Sequence, residues 1–388
     1  MQKDITIKTA TERPRVRALD SLRGIAALTV VFNHTLEGLS FDHFLHFTPL
    51  YIIKAGHEAV LFFFLLSGYV LTYQYRFNPE YTYRRFLVHR FFRIYVPYIV
   101  SILLSLCLFM LCTPKQGGGQ WVSNLWSQPP TIKVLIKHVA LVWTFNTNAL
   151  NPVIWSLVHE MRVAIIFPAL LYVVNLKPVN TAWVTVSILI ISVISIMFNL
   201  TYVVGYNDSL GYTAYYFCAF VVGGLISRYQ SELVSWNNSL TTFKRTALLV
   251  VAWLCFSYSS IWWFILDNPG WPRLIYHTIV SFGGDLLTLA GSVYFMIAAI
   301  SLKGNNFLTS KIPLFLGKIS YSLYLVHVPV LGFIYFTLVD KIPTPVVIGM
   351  GVLGSLLTAI IFNKYIEQPA MRIAKKVVIT KTGVVPRA

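Results

Sequence analysis

Hydrophobic positions in this chain do not alternate with polar ones; they gather in long runs separated by short polar clusters. Several runs reach the ~20 residues that a helix needs to cross the hydrocarbon layer. The clearest are Ala182–Val204, Thr246–Ile265, Leu286–Leu302 and Val346–Phe362. Alternating strands with turn punctuation are missing, which argues against a membrane barrel. The pattern therefore predicts an all-α polytopic membrane protein of about ten spanning helices. They fall near 18–37, 57–76, 92–112, 153–175, 182–204, 212–228, 246–265, 283–302, 314–338 and 344–363. The segment 132–148 is apolar but short and is interrupted by Lys133, Lys137 and His138, so it reads as re-entrant or interfacial. Glycines 117–119 and the pair Pro129-Pro130 mark an external loop.

Composition strengthens this picture. Of 388 residues, 56% are hydrophobic and only 12% are charged, with a mean hydropathy of +0.66. A soluble domain carries about a quarter charged residues to keep its surface wetted. Half that supply implies lipid as the solvent. Four cysteines, Cys107, Cys112, Cys218 and Cys255, lie in apolar stretches without metal-site or disulfide-framework spacing, and read as small core residues.

A net charge of +17 raises the question of nucleic acid, but the charges answer it by position. Basic residues cluster between the apolar runs, and no basic helix with interleaved stacking aromatics appears. With both termini cytoplasmic, 24 of the 31 Lys and Arg fall inside and 6 outside, while Arg162 lies within a span. That asymmetry follows the positive-inside rule. Making 132–148 a full span inverts the basic clusters on one side of it, so ten spans fit better than eleven. The run Gly24–Leu36 lacks a small-residue cleavage site, so an uncleaved first span is expected rather than a signal peptide. The expected organisation is a cytoplasmic segment 1–17, a membrane domain 18–365 and a basic tail 366–388 suited to anionic head groups. No internal repeat or second soluble domain is seen.

Ionisable groups inside spans are expensive and call for a reason. Arg23 and His34 are eleven residues apart, which returns them to within about 20° of one helix face. Such a pair suits gripping an anionic group at the mouth and moving a proton further in, since histidine titrates nearest neutrality. Packing between helices is the competing reading for His34. In the stretch 62–68 the pair Ser67-Gly68 allows close approach of a ligand or of another backbone. Arg84, Arg85, His89, Arg90 and Arg93 form a basic cluster in which Arg90 and Arg93 share a helical face. Arginine forks bind phosphate, so that face fits a nucleotide or pyrophosphate; lipid anchoring is the alternative. Glu160, in the stretch 155–160 with Arg162 beyond it, suits orienting His34, or else pairs with Arg162 or Arg23. His327, six residues past Tyr321, reads as a second polar group of the site or an interhelical hydrogen-bonding partner. No Walker, dinucleotide, HExxH or G-x-S-x-G pattern is present, so neither a metal nor a nucleotide-hydrolysing site is expected.

Taken together these stretches resemble acyltransferase family 3 of polytopic membrane proteins. "LDSLRGIAALTVVFNH" at 19–34 resembles the family's opening Arg-x10-His motif, and "FFFLLSGYVLT" at 62–72 its Phe-Phe-x-x-Ser-Gly span. "RRFLVHRFFRIYVPY" at 84–98 is similar to its Arg-x-x-Arg region, and "WSLVHE" at 155–160 to its Trp-Ser-Leu-x-x-Glu motif. "LGKISYSLYLVHVPV" at 316–330 and "YIEQPAMR" at 365–372 resemble its closing motifs, and all six occur in family order. The resemblance implies transfer of an acyl group, commonly acetyl, from cytoplasmic acyl-CoA to a hydroxyl of a cell-surface or exported glycan. It makes His34 the catalytic residue with Arg23 its partner and Glu160 in support, and puts Arg90 and Arg93 on the acyl-CoA side. Ser67, Trp155, Ser156 and His327 join the substrate-binding set. His34 then deprotonates the acceptor or takes the acyl group itself; both routes stay open. Acyl-CoA is a donor substrate, no cofactor is expected, and the bacterial inner membrane is the expected location. Some members carry an extracytoplasmic SGNH domain; this chain is expected to be a membrane domain alone. A transporter or flippase for a polar solute or acyl lipid is the rival reading, because intramembrane His, Glu and Arg also mark transport paths.

Overall fold

The computed structural model describes residues 16–37, 44–45, 48–77, 82–114, 120–198, 209–259 and 273–380. The predicted glycine loop 117–119, the ends 199–204 and 260–265 of two predicted spans, and the basic stretches 1–15 and 381–388 lie outside these residues. Every regular element among the described residues is helical. In chain order the helices are α1 (Arg17–Leu36), α2 (Gly56–Arg76), α3 (Tyr83–Arg90), α4 (Val96–Met110), α5 (Gln120–Asn124), α6 (Ile132–Val139), α7 (Trp155–Ile165) and α8 (Phe167–Asn175). There follow α9 (Pro178–Met197), α10 (Leu210–Arg228), α11 (Gln230–Ser239), α12 (Thr242–Ser257), α13 (Arg273–Ser301), α14 (Lys311–Leu338), α15 (Thr344–Phe362) and α16 (Gln368–Thr380).

Seven of the described helices are long and apolar enough to cross a membrane, and nine if each of two bent pairs counts as one span. The protein is a multi-pass membrane protein. The predicted span 153–175 is one bent pair, α7 and α8, turned by 69° at Ile166. Pro168 at the start of α8 has no N–H to continue the ladder of α7, which is the physical cause of the break. The other pair is α11 and α12, turned by 119°. Helix α1 has 20 residues yet is not among the seven, because Asp20, Arg23 and His34 interrupt its apolar face. The segment 132–148 holds only the eight-residue α6, too short to span. Beyond 365 the basic tail continues as helix: Thr344–Val377 is one rod containing a π-helical turn, Asn363–Glu367, and α16 packs on α3.

Small residues set the closest contacts, as expected where lipid removes the hydrophobic drive between helices. A Cβ on Gly24 of α1 would lie 2.3 Å from the Gly317 nitrogen of α14, and one on Gly317 would lie 2.2 Å from the Asp20 carbonyl. Helices α2 and α10 meet in the same way: a Cβ on Gly68 would lie 2.1 Å from the Phe220 carbonyl, and one on Gly223 1.9 Å from that of Leu65. Gly68 is thus a packing residue, whereas its neighbour Ser67 faces a cavity. Inside α14, Pro329 offers no N–H to the Leu325 carbonyl; Asn151 Nδ2 donates to it instead at 2.8 Å. All four cysteines are free thiols; Cys218 is buried, but Cys107 is exposed and so is not the core residue expected of it.

Candidate active site

Helices α1 and α2 run antiparallel and carry a cavity at each end. The first, about 560 Å³, is lined by Val16 just before α1, by Asp20 and Arg23 of α1 and by Phe63, Ser67 and Gln74 of α2. The second, about 350 Å³, is lined by Val30, Asn33 and His34 of α1 and by Gly56, His57 and Val60 of α2. The eleven-residue spacing of Arg23 and His34 therefore places them on one face of α1 but in different cavities, roughly 16 Å apart along the axis.

Arginine dominates the first cavity. Arg90 and Arg93 reach it from either side of the junction between α3 and a π-helical turn, Phe91–Tyr95. Such turns recur at functional sites because they break the regular ladder. Here the Tyr321 hydroxyl of α14 donates to the Ile94 carbonyl within the turn at 2.9 Å. The second π-helical turn contributes Asn363 and Glu367 to the same cavity. Glu367 is held by the Ser322 hydroxyl at 2.5 Å and Asn363 Nδ2 at 2.8 Å.

Glu160 accepts from Arg90 Nη1 at 2.9 Å and from the Ser67 hydroxyl at 3.5 Å. It stands in the arginine cavity, not beside His34, so the orienting role expected of it does not hold. Its ion-pair partner is not Arg162 either, for that guanidinium is spent on the Val142 carbonyl and the Thr213 hydroxyl, at 2.7 and 2.8 Å. Arg90 is only 7% exposed and its guanidinium also lies 5.6 Å from the Phe86 ring. Among the described residues, Arg23 and Arg93 make no hydrogen bond or ion pair. The arginines open to an anion are thus Arg23 and Arg93, rather than the sequence-expected pair Arg90 and Arg93. Arg84, Arg85 and His89 do not line the cavity.

The second cavity centres on His34. Its Nδ1–H donates to the Val30 carbonyl at 2.8 Å, so that in the neutral ring Nε2 is the acceptor. The ring is flanked edge-on by Trp121, with centroids 6.5 Å apart, and by His327, at 5.2 Å. His327 does not bridge helices through its ring: Nδ1 donates to the Leu323 and Tyr324 carbonyls of its own helix at 3.0 and 2.9 Å. Its Nε2 is buried without a partner among the described residues. Trp155 lines the His34 cavity and Ser156 the arginine cavity, although they are consecutive.

Between the cavities stands Tyr324, which lines both. Its hydroxyl hydrogen-bonds the Ser156 hydroxyl at 2.7 Å and the Val153 carbonyl at 2.8 Å. One helix and one tyrosine thus stand between a cavity lined by arginines and a cavity lined by His34.

Residues 16–364, nearly the whole chain, match the family described as Acyltransferase domain. The chain belongs to acyltransferase family 3. A relative, Acyltransferase MdmB of Streptomyces mycarofaciens, is 31% identical over 175 residues, which are 44% of this chain. That match spans 43% of the relative's length. No solved structure matches.

Within this family member the structure adds cavity-lining residues that sequence reasoning did not assign to the site. Tyr324, Trp121 and Glu367 line the cavities, and so does His57, whose Nε2 lies 2.7 Å from Asp285 Oδ1. An Asp at the edge of the predicted span 283–302 was the available signal for Asp285, by the same cost argument that singled out Glu160. Tyr324 and Glu367 lay within the two closing motifs without being assigned a role, and Trp121 carried no signal, since aromatic residues are common in membrane proteins.

Proposed function

We propose that this protein is an O-acyltransferase that moves an acyl group, acetyl in the simplest case, from acyl-CoA to a glycan hydroxyl. The observation that supports it is the pair of cavities at opposite ends of α1, one offering Arg23 and Arg93, the other His34. Phosphates of the donor sit on the two arginines, whose planar donor forks match them. The pantetheine arm runs past Ser67 and Ser156 towards Tyr324 and brings the thioester to the partition. On the far side His34 Nε2 takes the proton of the acceptor hydroxyl. The oxygen then attacks the thioester carbonyl, the C–S bond breaks, and the CoA thiolate leaves and recovers a proton. The result is an ester and free CoA. Val16 and Met371 line the arginine cavity together, so the two ends of the membrane domain lie at the donor end of the bundle. With the positive-inside asymmetry, that end is cytoplasmic in a bacterial inner membrane, and the acceptor is a surface or exported glycan.

The test uses purified protein in nanodiscs with radiolabelled acetyl-CoA and a membrane glycan extract, comparing wild type with His34→Ala. Label transferred to glycan by wild type alone supports the reading. Equal transfer by the variant removes His34 from the mechanism. Movement of the extract's solutes across a proteoliposome membrane without any acyl donor would favour a transporter instead.

A further inference from the structure

His57 is the first-turn residue of α2, and the chain places it with care. A Cβ on the preceding Gly56 would lie 2.7 Å from the Asn33 side chain, so α1 and α2 are in close contact just beside it. The next residue, Glu58, turns inward: it is 3% exposed, and accepts from the Ser259 hydroxyl at 2.6 Å and the Tyr51 hydroxyl at 3.4 Å. His57 turns the other way and lines the cavity of His34.

Three helices converge on the His57 imidazole. Its Nε2 donates to Asp285 Oδ1 of α13 at 2.7 Å, and Asp285 Oδ2 accepts from the Tyr215 hydroxyl of α10 at 2.9 Å. Both carboxylate oxygens are therefore occupied, on a side chain only 12% exposed. An ionised carboxylate at such a site needs a counter-charge. Among the described residues, His57 is the basic group in contact with it. An imidazolium on His57 would supply that counter-charge, and Tyr215 holds the pair in one orientation. The His57 side chain is half exposed, and its Nδ1–H has no partner among the described residues.

His34 presents the complementary case. Its inner nitrogen donates to a backbone carbonyl, so in the neutral ring the other nitrogen is the acceptor. One cavity thus brings together two histidines held differently, His34 by a backbone carbonyl and His57 by a carboxylate. The remaining polar lining, Asn33, Asn124, Asn148 and Glu37, offers amides and a carboxylate rather than arginines. That set matches hydroxyl groups, not phosphates.

We propose that His57, locked by Asp285 and Tyr215, is the acceptor-positioning residue of this enzyme. Its Nδ1–H donates to one hydroxyl oxygen of a polyhydroxylated acceptor and so presents a neighbouring hydroxyl to His34. The inference rests on the acyl-transfer reading above. A plain ion pair tying α2 to α13 would stabilise the fold without touching acceptor affinity, and the two roles separate experimentally.

The full chain in nanodiscs is assayed with radiolabelled acetyl-CoA while the membrane glycan extract is titrated, for wild type, His57→Gln and Asp285→Asn. Thermal unfolding is recorded for each. The expected result for His57→Gln is a rise of roughly tenfold or more in the half-saturating extract concentration, the range of one charge-assisted hydrogen bond. Half-saturation by acetyl-CoA stays at the wild-type value. Asp285→Asn, which removes the charge but keeps the shape, moves extract half-saturation the same way by less. If His57→Gln lowers the melting temperature while extract half-saturation stays put, the pair is only a helix tie and the proposal falls. It falls equally if both half-saturations rise together, because then the whole site is distorted. Wild-type protein that transfers no label overturns the parent reading and this inference with it.

Discussion

The two ends of α1 solve the problem of polar groups in a lipid-facing bundle in opposite ways. At the amino end, charge is abundant and partly neutralised: Arg90 is committed to Glu160, while Arg23 and Arg93 are left facing a cavity. At the carboxyl end, His34 is oriented by a backbone carbonyl and surrounded by aromatic edges and amides. On the proposed reading the site binds a phosphorylated donor at one end and activates a hydroxyl at the other, which needs both environments. Separating them by three helical turns and a tyrosine hydroxyl keeps each chemistry intact. The comparison also shows why Glu160 is a poor partner for His34: its charge is already balanced at the other end.

The strongest way to break the comparison is His34→Ala. Loss of a general base costs roughly 10²–10⁴-fold in turnover, measured as label transferred from acetyl-CoA, with thermal unfolding unchanged. A variant that still turns over normally would make the second cavity a bystander.

Glu160→Ala should act on stability rather than on proton transfer. It takes the carboxylate from the buried Arg90, a loss of about 3 kcal/mol at most, because Glu160 keeps 21% of its side chain exposed. Glu160→Gln, which keeps an acceptor for Arg90, should recover part of that in a denaturation series. Equal stability of all three proteins would deny the ion pair its structural role.

Arg93→Ala sharpens the donor half of the contrast. Removing one guanidinium fork from the first cavity should raise the half-saturating acetyl-CoA concentration by roughly tenfold to a hundredfold. Half-saturation by the glycan extract should not move, whereas a shared shift would merge the two cavities into one site.

Tyr324→Phe probes the partition and is the mildest change. It removes the tyrosine's bonds to the Ser156 hydroxyl and the Val153 carbonyl, which keep each other at 3.3 Å, at a cost of about 1 kcal/mol. Release of CoA thiol without acceptor should increase modestly, read with a thiol reagent. No increase would mean that the aromatic ring alone separates the cavities.

Much of this was legible in the chain. Length and apolarity of the runs declare helices in lipid, because a membrane span must satisfy every backbone group within itself. Arg23 and His34 declare themselves by the cost of placing them in a span, and their spacing settles that they share a face of one helix. Periodicity within one helix is a local property and survives without tertiary information. What it does not contain is which side chain answers which across helices. Glu160 was equally available to His34, Arg162 or Arg23 by sequence; packing delivered it to Arg90, because α3 and α7 meet there and α1 presents His34 elsewhere. The break at Ile166 and the two π-helical turns came from proline and from local ladder defects that average hydropathy does not register. Sequence by itself determined the fold class, the family and the polar helix; tertiary structure alone decided that this helix serves two cavities, and which arginines and histidines stand in each. The physical reason is that burial along a helix is periodic, whereas pairing between helices depends on close approach at Gly24, Gly68, Gly223 and Gly317.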